Sequence, residues 1–407
     1  MSLAQEKIKS SIAAIHIGMS GFPVGSAAVN KFMAVYKSLH QHGVDFLIIN
    51  NRAFHQQESS LKLNQRGVHD GMNFCYTSLS PYKSNSFLGR RVSNMVGRWR
   101  EFWLLVKLGS QKKIDVAFYY PTNGSFLELI YYRLISKVFR FKIIAHYVEY
   151  RTAFDHTDFP IELVADQLFD RYFMKWVDAV LPISEFLIKH LQSRGYRGPL
   201  LKVPPLADFN KFNSNPSEKF EKYFFYVGSA SYMEAIDFII RSFEKINSKD
   251  VELHLVVNGN ADQMAEFNQL IQSSAASRQI KCFSNLSYPD LIKKYMEASA
   301  LLIPLTSSVQ DSARFPQKMA EYLASAKPVI TTNFGEVPYY LQDGVNALIC
   351  NSYDVDLFSQ KMKWVTDHPE EAKAIGVQGK EIGLKYFDFN SYGQPIRNLI
   401  DSLILNP

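Results

Sequence analysis

Three things are scarce in this chain of 407 residues. Cysteine is the first: Cys75, Cys282 and Cys350 are far apart, odd in number and in no metal-ligand spacing. They suggest neither a disulfide framework nor a zinc site, and a reducing cytoplasm suits them best. Long apolar runs are the second. None approaches the ~20 residues of a membrane span, and the opening MSLAQEKIKSS has no signal-peptide core, so the chain is expected not to cross a membrane. The third is acid in one stretch. Across residues 82–113, Lys83, Arg90, Arg91, Arg98, Arg100, Lys107, Lys112 and Lys113 face the single carboxylate of Glu101.

That stretch dominates the charge balance. The net +6 divides into 24 Lys and Arg against 15 Asp and Glu in residues 1–195, and 21 against 24 in the remainder. Trp99, Phe102, Trp103, Leu104 and Leu105 interleave with the cations, the pattern of a basic amphipathic surface helix over 87–108. It reads either as an ordinary domain helix with its arginines in water or as a helix set against an anionic membrane face. Arg90, Arg91, Arg98, Arg100, Trp99 and Trp103 are the membrane-facing candidates. A nucleic-acid groove is disfavoured, because the rest of this half lacks the basic and aromatic stacking pattern such grooves need.

What is present is the composition of a folded protein, 47% hydrophobic and 21% charged, in a length that suits two domains of about 200 residues. Short apolar runs alternate with helical patterns: IAAIHIGMS, VDFLIINN, VAFYYP, KIIAHYVE and AVLPIS, then YFFYVGS, ELHLVVNG, IKCFSN, ALLIPLT, PVITTN and ALICN. The expectation is an α/β fold of two Rossmann-like, doubly wound domains facing each other across a cleft. Residues 203–219, rich in Pro and Asn, read as a linker. The expected domains are 1–203 and 204–388, with a C-terminal helix over 389–407 returning to the first. Ligands of open parallel sheets bind beyond the carboxyl ends of the strands, so the site is sought there.

Two segments carry chemistry. GMSGFPVGSAAVNKF follows the first strand and opens a helix, and its Gly21, Gly25 and Ser26 form a loop suited to an acceptor or a phosphate. It is not the dinucleotide fingerprint, because Asn51-Arg52 stands where the second strand would end in an acid, which disfavours a nicotinamide dehydrogenase. The second segment is ARFPQKMAEYLASAKPVI, with a helix expected to start near Gln317 and Pro316 in its favoured first turn. Helix-start N–H groups with Lys318 as counter-charge would take a diphosphate, and Glu321 would accept hydrogen bonds from vicinal ribose hydroxyls. On spacing alone, the favoured reading of Glu321 is a solvated helix residue.

Pro316, Lys318, Glu321, Tyr322, Ala324, Lys327, Pro328, Val329 and Ile330, followed by GEVPYYLQDGVNALIC, resemble the signature of retaining nucleotide-sugar glycosyltransferases of the GT-B fold. This is the large group 1 family that includes sucrose synthases and bacterial polysaccharide and lipid-linked-glycan transferases. IIAHYVEYR, VDAVLPISEFLIKHL and YFFYVGSASYMEA resemble further landmarks of that family in the same order.

The resemblance implies sites. Gly228, Ser229, Arg314, Pro316, Gln317, Lys318, Glu321, Gly335 and Glu336 would bind the donor, His146 would line the sugar site, Glu149 is a fallback carboxylate, and Lys318 would steady the leaving diphosphate. The family's second acid, eight residues before the ribose-binding Glu, is replaced by Ala313. The usual Arg and Lys after the glycine are replaced by Ser229 and Glu234, leaving Lys318 and Arg314 as substitutes.

The function implied is transfer of a sugar from a nucleoside-diphosphate sugar, with UDP the expected nucleotide, to a glycan or lipid-linked acceptor in cell-surface polysaccharide synthesis, with retention. It needs no cofactor and no metal, and it would be cytoplasmic or peripheral at the inner membrane face. A non-catalytic nucleotide- or glycan-binding relative and a nucleotide-sugar epimerase are the alternatives.

Overall fold

The computed structural model describes residues 11–18, 21–23, 27–55, 62–121, 125–153, 160–212 and 222–405. The chain divides into two compact units, residues 1–204 with 389–407, and residues 205–388.

The first unit is built on seven strands: β1 Ile12–Ile17, β2 Val44–Asn50, β3 Arg66–His69, β4 Met72–Tyr76, β5 Val116–Tyr119, β6 Lys142–Tyr147 and β7 Ala179–Pro182. Their order is β3-β4-β2-β1-β5-β6-β7. All pairs are parallel except β3 with β4. Strands covered by helices on both faces cannot alternate apolar and polar residues. IAAIHI and KIIAHY accordingly read as continuous runs and are buried almost throughout.

The β3–β4 hairpin, absent from the run-based expectation, closes on Asp70-Gly71, with φ of 47° and 71's φ of 81°. Positive φ at both central residues is what a tight two-residue hairpin of this hand requires.

β2 and β5 flank β1 on opposite sides. A right-handed crossover therefore sends the helix Ala27–His40, which joins β1 to β2, to one face of the sheet. The same rule sends Phe87–Ser110, Ser125–Phe139 and Pro160–Tyr172 together to the other face. The C-terminal helix Gly393–Leu405 packs on Ala27–His40, where Arg397 Nη1 donates to the carbonyl of His42 at 2.8 Å.

The helix Phe87–Ser110 is capped by Ser86, whose Oγ accepts the Gly89 N–H. Its inner face carries the buried Glu101, which accepts from Asn51 Nδ2 at 3.1 and 3.2 Å and from Tyr132 Oη at 2.8 Å. Burial pushes the Glu101 carboxyl up to about 7, against the pull of these hydrogen bonds. Arg98, expected at a membrane face, turns the other way: its Nη2 meets Glu128 Oε1 at 2.5 Å, and Nη1 lies 4.0 Å from Glu101. Two buried acids on facing helices hold it inward.

The second unit has six strands, all parallel: β8 Tyr223–Ser229, β9 Glu252–Asn258, β10 Ile280–Phe283, β11 Ala300–Ile303, β12 Val329–Thr332 and β13 Leu348–Cys350. Their order, β10-β9-β8-β11-β12-β13, reverses between β8 and β11. One core cluster joins Phe224, Leu255, Leu302 and Ile330 of the sheet to Ile239, Phe243 and Phe358 of its helices.

The stretch read as a linker belongs, in its described part, to this unit or its edge. Leu206, Ala207, Phe209 and Phe212 are buried, and Ala207 N–H donates to the carbonyl of Phe387 at 2.9 Å. Its apolar residues at 206, 209 and 212 outweigh the prolines that suggested a free connection.

Candidate functional site

The second sheet changes direction between β8 and β11, so the space beyond their carboxyl ends is not filled by a crossover. The candidate donor residues gather around those two ends. Gly228 and Ser229 close β8. Ser229 Oγ is already engaged, accepting the Ser231 N–H at 3.2 Å and the Ser231 hydroxyl at 2.9 Å as cap of the turn Ala230–Tyr232.

After β11 the chain enters a tightly tied loop. Asp311 Oδ2 accepts from the N–H and hydroxyl of Thr306 at 2.7 and 2.9 Å, and its own N–H donates to Ser308 Oγ. Asp311 Oδ1 takes Arg314 through Nε at 2.9 Å and Nη2 at 2.5 Å. Arg314 Nη1 donates to Tyr232 Oη at 2.6 Å, and the guanidinium lies 4.5 Å from that ring's centre. Burial works against the Arg314 charge, but Asp311 and then Tyr232 outweigh it and hold its pKa above the ordinary value.

Ala313, where the family has its second acid, is fully buried, and the nearby Asp311 anchors the loop and the arginine. Gly335, at φ +59°, lies against this loop; a Cβ there would come within 2.5 Å of the Asp311 carbonyl oxygen. Glu336, beside it, is buried at the start of the helix Val337–Tyr340.

The helix expected to start near Gln317 runs Lys318–Ala324, with Gln317 at its N-cap position and Pro316 outside its first turn. Pro316 contributes its carbonyl, which accepts the Met319 N–H at 3.0 Å. Gln317 Nε2 donates to the carbonyl of Leu206 at 2.6 Å. Lys318 points to the end of β8: Nζ donates to the Val227 carbonyl at 2.8 Å and sits 4.1 Å from the centre of the Tyr226 ring. Burial, then the Arg314 charge, press its pKa down to about 7, with Asp311 opposing.

Glu321 is buried, which removes the reading of a solvated helix residue. Its two oxygens accept from Tyr288 Oη and Tyr295 Oη, each at 3.2 Å. Burial raises its pKa to about 7, although both tyrosines and Lys211 work in the other direction. A carboxylate offers about four acceptor positions, so each oxygen keeps one beyond its tyrosine. Tyr288 and Tyr295 were missed in the sequence. The available signal was their spacing of seven on one polar helix, Tyr288–Glu297, which puts both on one face.

The first-unit candidates are placed differently. His146 is the last residue but one of β6 and is 1% exposed. Its ring packs 4.7 Å from Phe32 and 5.6 Å from Phe118, and Nε2 is 3.4 Å from Tyr36 Oη, which also bonds His16 Nδ1. Burial, then His16 and Lys31, hold it well below its usual pKa. The expectation of a histidine lining an open sugar site is corrected to a neutral histidine among aromatic rings. The run KIIAHYVE could not distinguish the two, since a polar residue near a strand end looks alike in both.

Glu149 is half-buried past β6 and favours the charge of Lys31. Gly21 is buried at φ +99°, where a Cβ would meet the Phe54 ring at 2.7 Å. Gly25 and Ser26 lie outside the described residues. Arg90, Arg91, Arg100, Trp99 and Trp103 are exposed.

Comparison with known proteins agrees with this geometry. Residues 208–382 match the family model described as glycosyl transferases group 1. An uncharacterized glycosyltransferase of Methanocaldococcus jannaschii is 22% identical over 222 residues, 53% of this chain and 58% of that protein, so the likeness spans little more than half of the relative's length. A sucrose-phosphate synthase from Thermosynechococcus elongatus superposes over 98% of this chain and all of its own, with a TM-score of 0.74 at 12% identity. Anabaena HepE in complex with UDP-glucose covers 96% of this chain and 99% of its own, with a TM-score of 0.68 at 14% identity. Residues 208–382 thus resemble the group 1 glycosyl transferases, and the two doubly wound units have the GT-B fold of these structures.

Proposed function

We propose that the chain transfers a sugar from a nucleoside-diphosphate sugar, with UDP as the nucleotide, to a glycan or lipid-linked acceptor hydroxyl with retention of configuration, in cell-surface polysaccharide synthesis. The observation that carries the reading is Glu321: a buried carboxylate beside the reversal of a parallel sheet, with both oxygens steadied by tyrosines and one acceptor position left on each. That arrangement suits two vicinal ribose hydroxyls. UDP and UDP-glucose are bound by Anabaena HepE, which shares the fold, and this supports the choice of nucleotide.

Lys318 and Arg314 would meet the diphosphate. Arg314 is pre-oriented by Asp311 and Tyr232. Lys318, with a pKa of about 7, is about half charged at pH 7 until an anion favours its ammonium form. As the bond from the sugar to the diphosphate breaks, negative charge grows on the leaving oxygens, and these two cations stabilise it where solvent is scarce. The departing phosphate takes the acceptor proton, so that no separate base is required.

A second reading, a non-catalytic nucleotide-binding relative, is favoured by Ser229, which is committed to its turn where a diphosphate cation would otherwise stand. Thermal stabilisation by UDP, GDP, ADP and CMP, each repeated on Glu321→Ala, tests the site. A shift with UDP that the variant abolishes supports it, and no shift with any nucleotide overturns it. Release of free UDP from a UDP-sugar in the presence of acceptor then separates transferase from binder.

A further inference from the structure

Three consecutive helices, Phe87–Ser110, Ser125–Phe139 and Pro160–Tyr172, cover one face of the first sheet and pack side by side. Their inner faces are ordinary core. Their outer faces are not. On the first helix Leu88, Val92, Met95, Trp99 and Trp103 follow one another three or four residues apart, a single stripe, and are 74, 46, 69, 63 and 53% exposed. On the second, Leu127, Leu134 and Val138 are 77, 61 and 72% exposed, and on the third Val164 and Leu168 continue the pattern. Isolated exposed apolar residues are normal on a folded protein, whereas adjoining stripes on neighbouring helices mark an interaction surface.

Charge decides what the surface fits. Four acids on these helices are buried: Glu101 bonds Asn51 and Tyr132, Glu128 holds Arg98, Asp166 holds Arg151 at 2.7 Å, and Asp170 accepts from Thr152. The exposed charges flanking the face are cations: Arg91, Arg100 and Lys107 on the first helix, Lys137 on the second and Arg171 on the third. Arg91 lies 4.9 Å from the exposed Phe87 ring, a cation lodged against the apolar stripe. Among the described residues no helix is long and apolar enough to cross a membrane.

We infer that this three-helix face seats the protein on the surface of an anionic lipid bilayer, the apolar stripes entering the headgroup boundary and the rim cations meeting lipid phosphates. An apolar patch flanked by cations, with Glu101, Glu128, Asp166 and Asp170 turned inward, suits that surface better than a second copy of the same face, which would oppose cation to cation. The seat reaches beyond the helix that the sequence singled out. The inference does not rest on the sugar-transfer reading.

The full chain is mixed with vesicles of phosphatidylcholine alone and of phosphatidylcholine with phosphatidylglycerol at low salt, and binding is read by co-sedimentation and by the emission of Trp99 and Trp103. Binding to the anionic vesicles with a blue shift, and little to the neutral ones, is expected. Arg91→Gln with Arg100→Gln should weaken it more than tenfold, since each surface cation is worth about fivefold. Leu134→Ser with Val138→Ser, on the second helix, should also weaken it severalfold while the circular dichroism spectrum is unchanged.

Equal binding to both vesicle types, or to neither, overturns the proposal. Full binding by the second-helix variant confines the seat to one helix and overturns the three-helix face. Dimerisation in solution that Leu134→Ser with Val138→Ser abolishes, without vesicle binding, assigns the face to a second copy instead.

Discussion

Both sheets reverse direction once, between β1 and β5 and between β8 and β11, yet they treat ionisable side chains near the reversal in opposite ways. In the second unit Glu321, Lys318, Arg314 and Asp311 each make hydrogen bonds. In the first unit Lys31 Nζ and His16 Nε2 are buried and make no hydrogen bond among the described residues. Burial presses His16 down to about 3, and burial, opposed by Glu149, takes Lys31 to about 7. A partnered buried charge is stable in one geometry, whereas an unpartnered one weakens the fold that holds it. The comparison teaches that the second unit's site is prearranged and the first unit's polar cluster is tolerated at a cost.

The strongest way to break this contrast is Lys31→Met. Lys31 has its folded pKa depressed from 10.5 to about 7, so below about pH 7 both states are protonated and the folded chain bears the whole cost of the buried charge. As pH rises from 7 to 10.5 the folded state sheds the proton first, and that cost falls by about 1.4 kcal/mol per pH unit. Urea unfolding should find Lys31→Met more stable than the parent at pH 6, with the gap closing toward pH 10. A variant less stable at pH 6 would mean that Lys31 is compensated after all.

Next in size is the loss of nucleotide stabilisation in Glu321→Ala. UDP at a hundredfold excess over its dissociation constant should add about 2.7 kcal/mol to the parent and nothing to the variant. A Lys31→Met protein should retain the effect. Equal shifts in the parent and in Glu321→Ala would remove the second unit's claim to a prearranged site.

Arg314→Gln should weaken UDP about tenfold, or 1.4 kcal/mol, by removing one charge-assisted contact. Isothermal titration measures it, and an unchanged affinity would show that Asp311 already uses up the arginine.

The smallest effect sharpens the picture of Glu321 and Lys318, both near 7 in the free protein. Glu321 is raised, so its protonated form is favoured up to about pH 7, and Lys318 is lowered, so its neutral form is favoured above that pH. A ligand that demands carboxylate and ammonium should therefore release protons at pH 6, from Glu321, and take them up at pH 8, on Lys318. Calorimetry in buffers of different ionisation enthalpy reads this, and the same sign at both pH values would contradict the assignment.

How much of this was legible beforehand differs between residues. The apolar runs named eleven strands because buried parallel strands need apolar residues on both faces. The hairpin on Asp70-Gly71 escaped them, because the exposed Arg66, Val68 and His69 hid β3 from a search for apolar runs. In the site, Glu321 and Lys318 stood out by type and spacing, while Tyr288 and Tyr295 did not, since 33 and 26 residues separate them from Glu321. Arg98 looked like its neighbours Arg90 and Arg100, and only Glu128, on another helix, turned it inward.

Residue type and local period by themselves determined the two parallel sheets, the basic aromatic helix and the presence of a carboxylate and an ammonium near the start of Lys318–Ala324. Tertiary structure alone decided which charges are hidden. A pKa depends on how much water is excluded and on which groups lie within a few ångströms, and these were set by contacts such as Lys318 with Val227 and Glu101 with Tyr132 that span tens of residues.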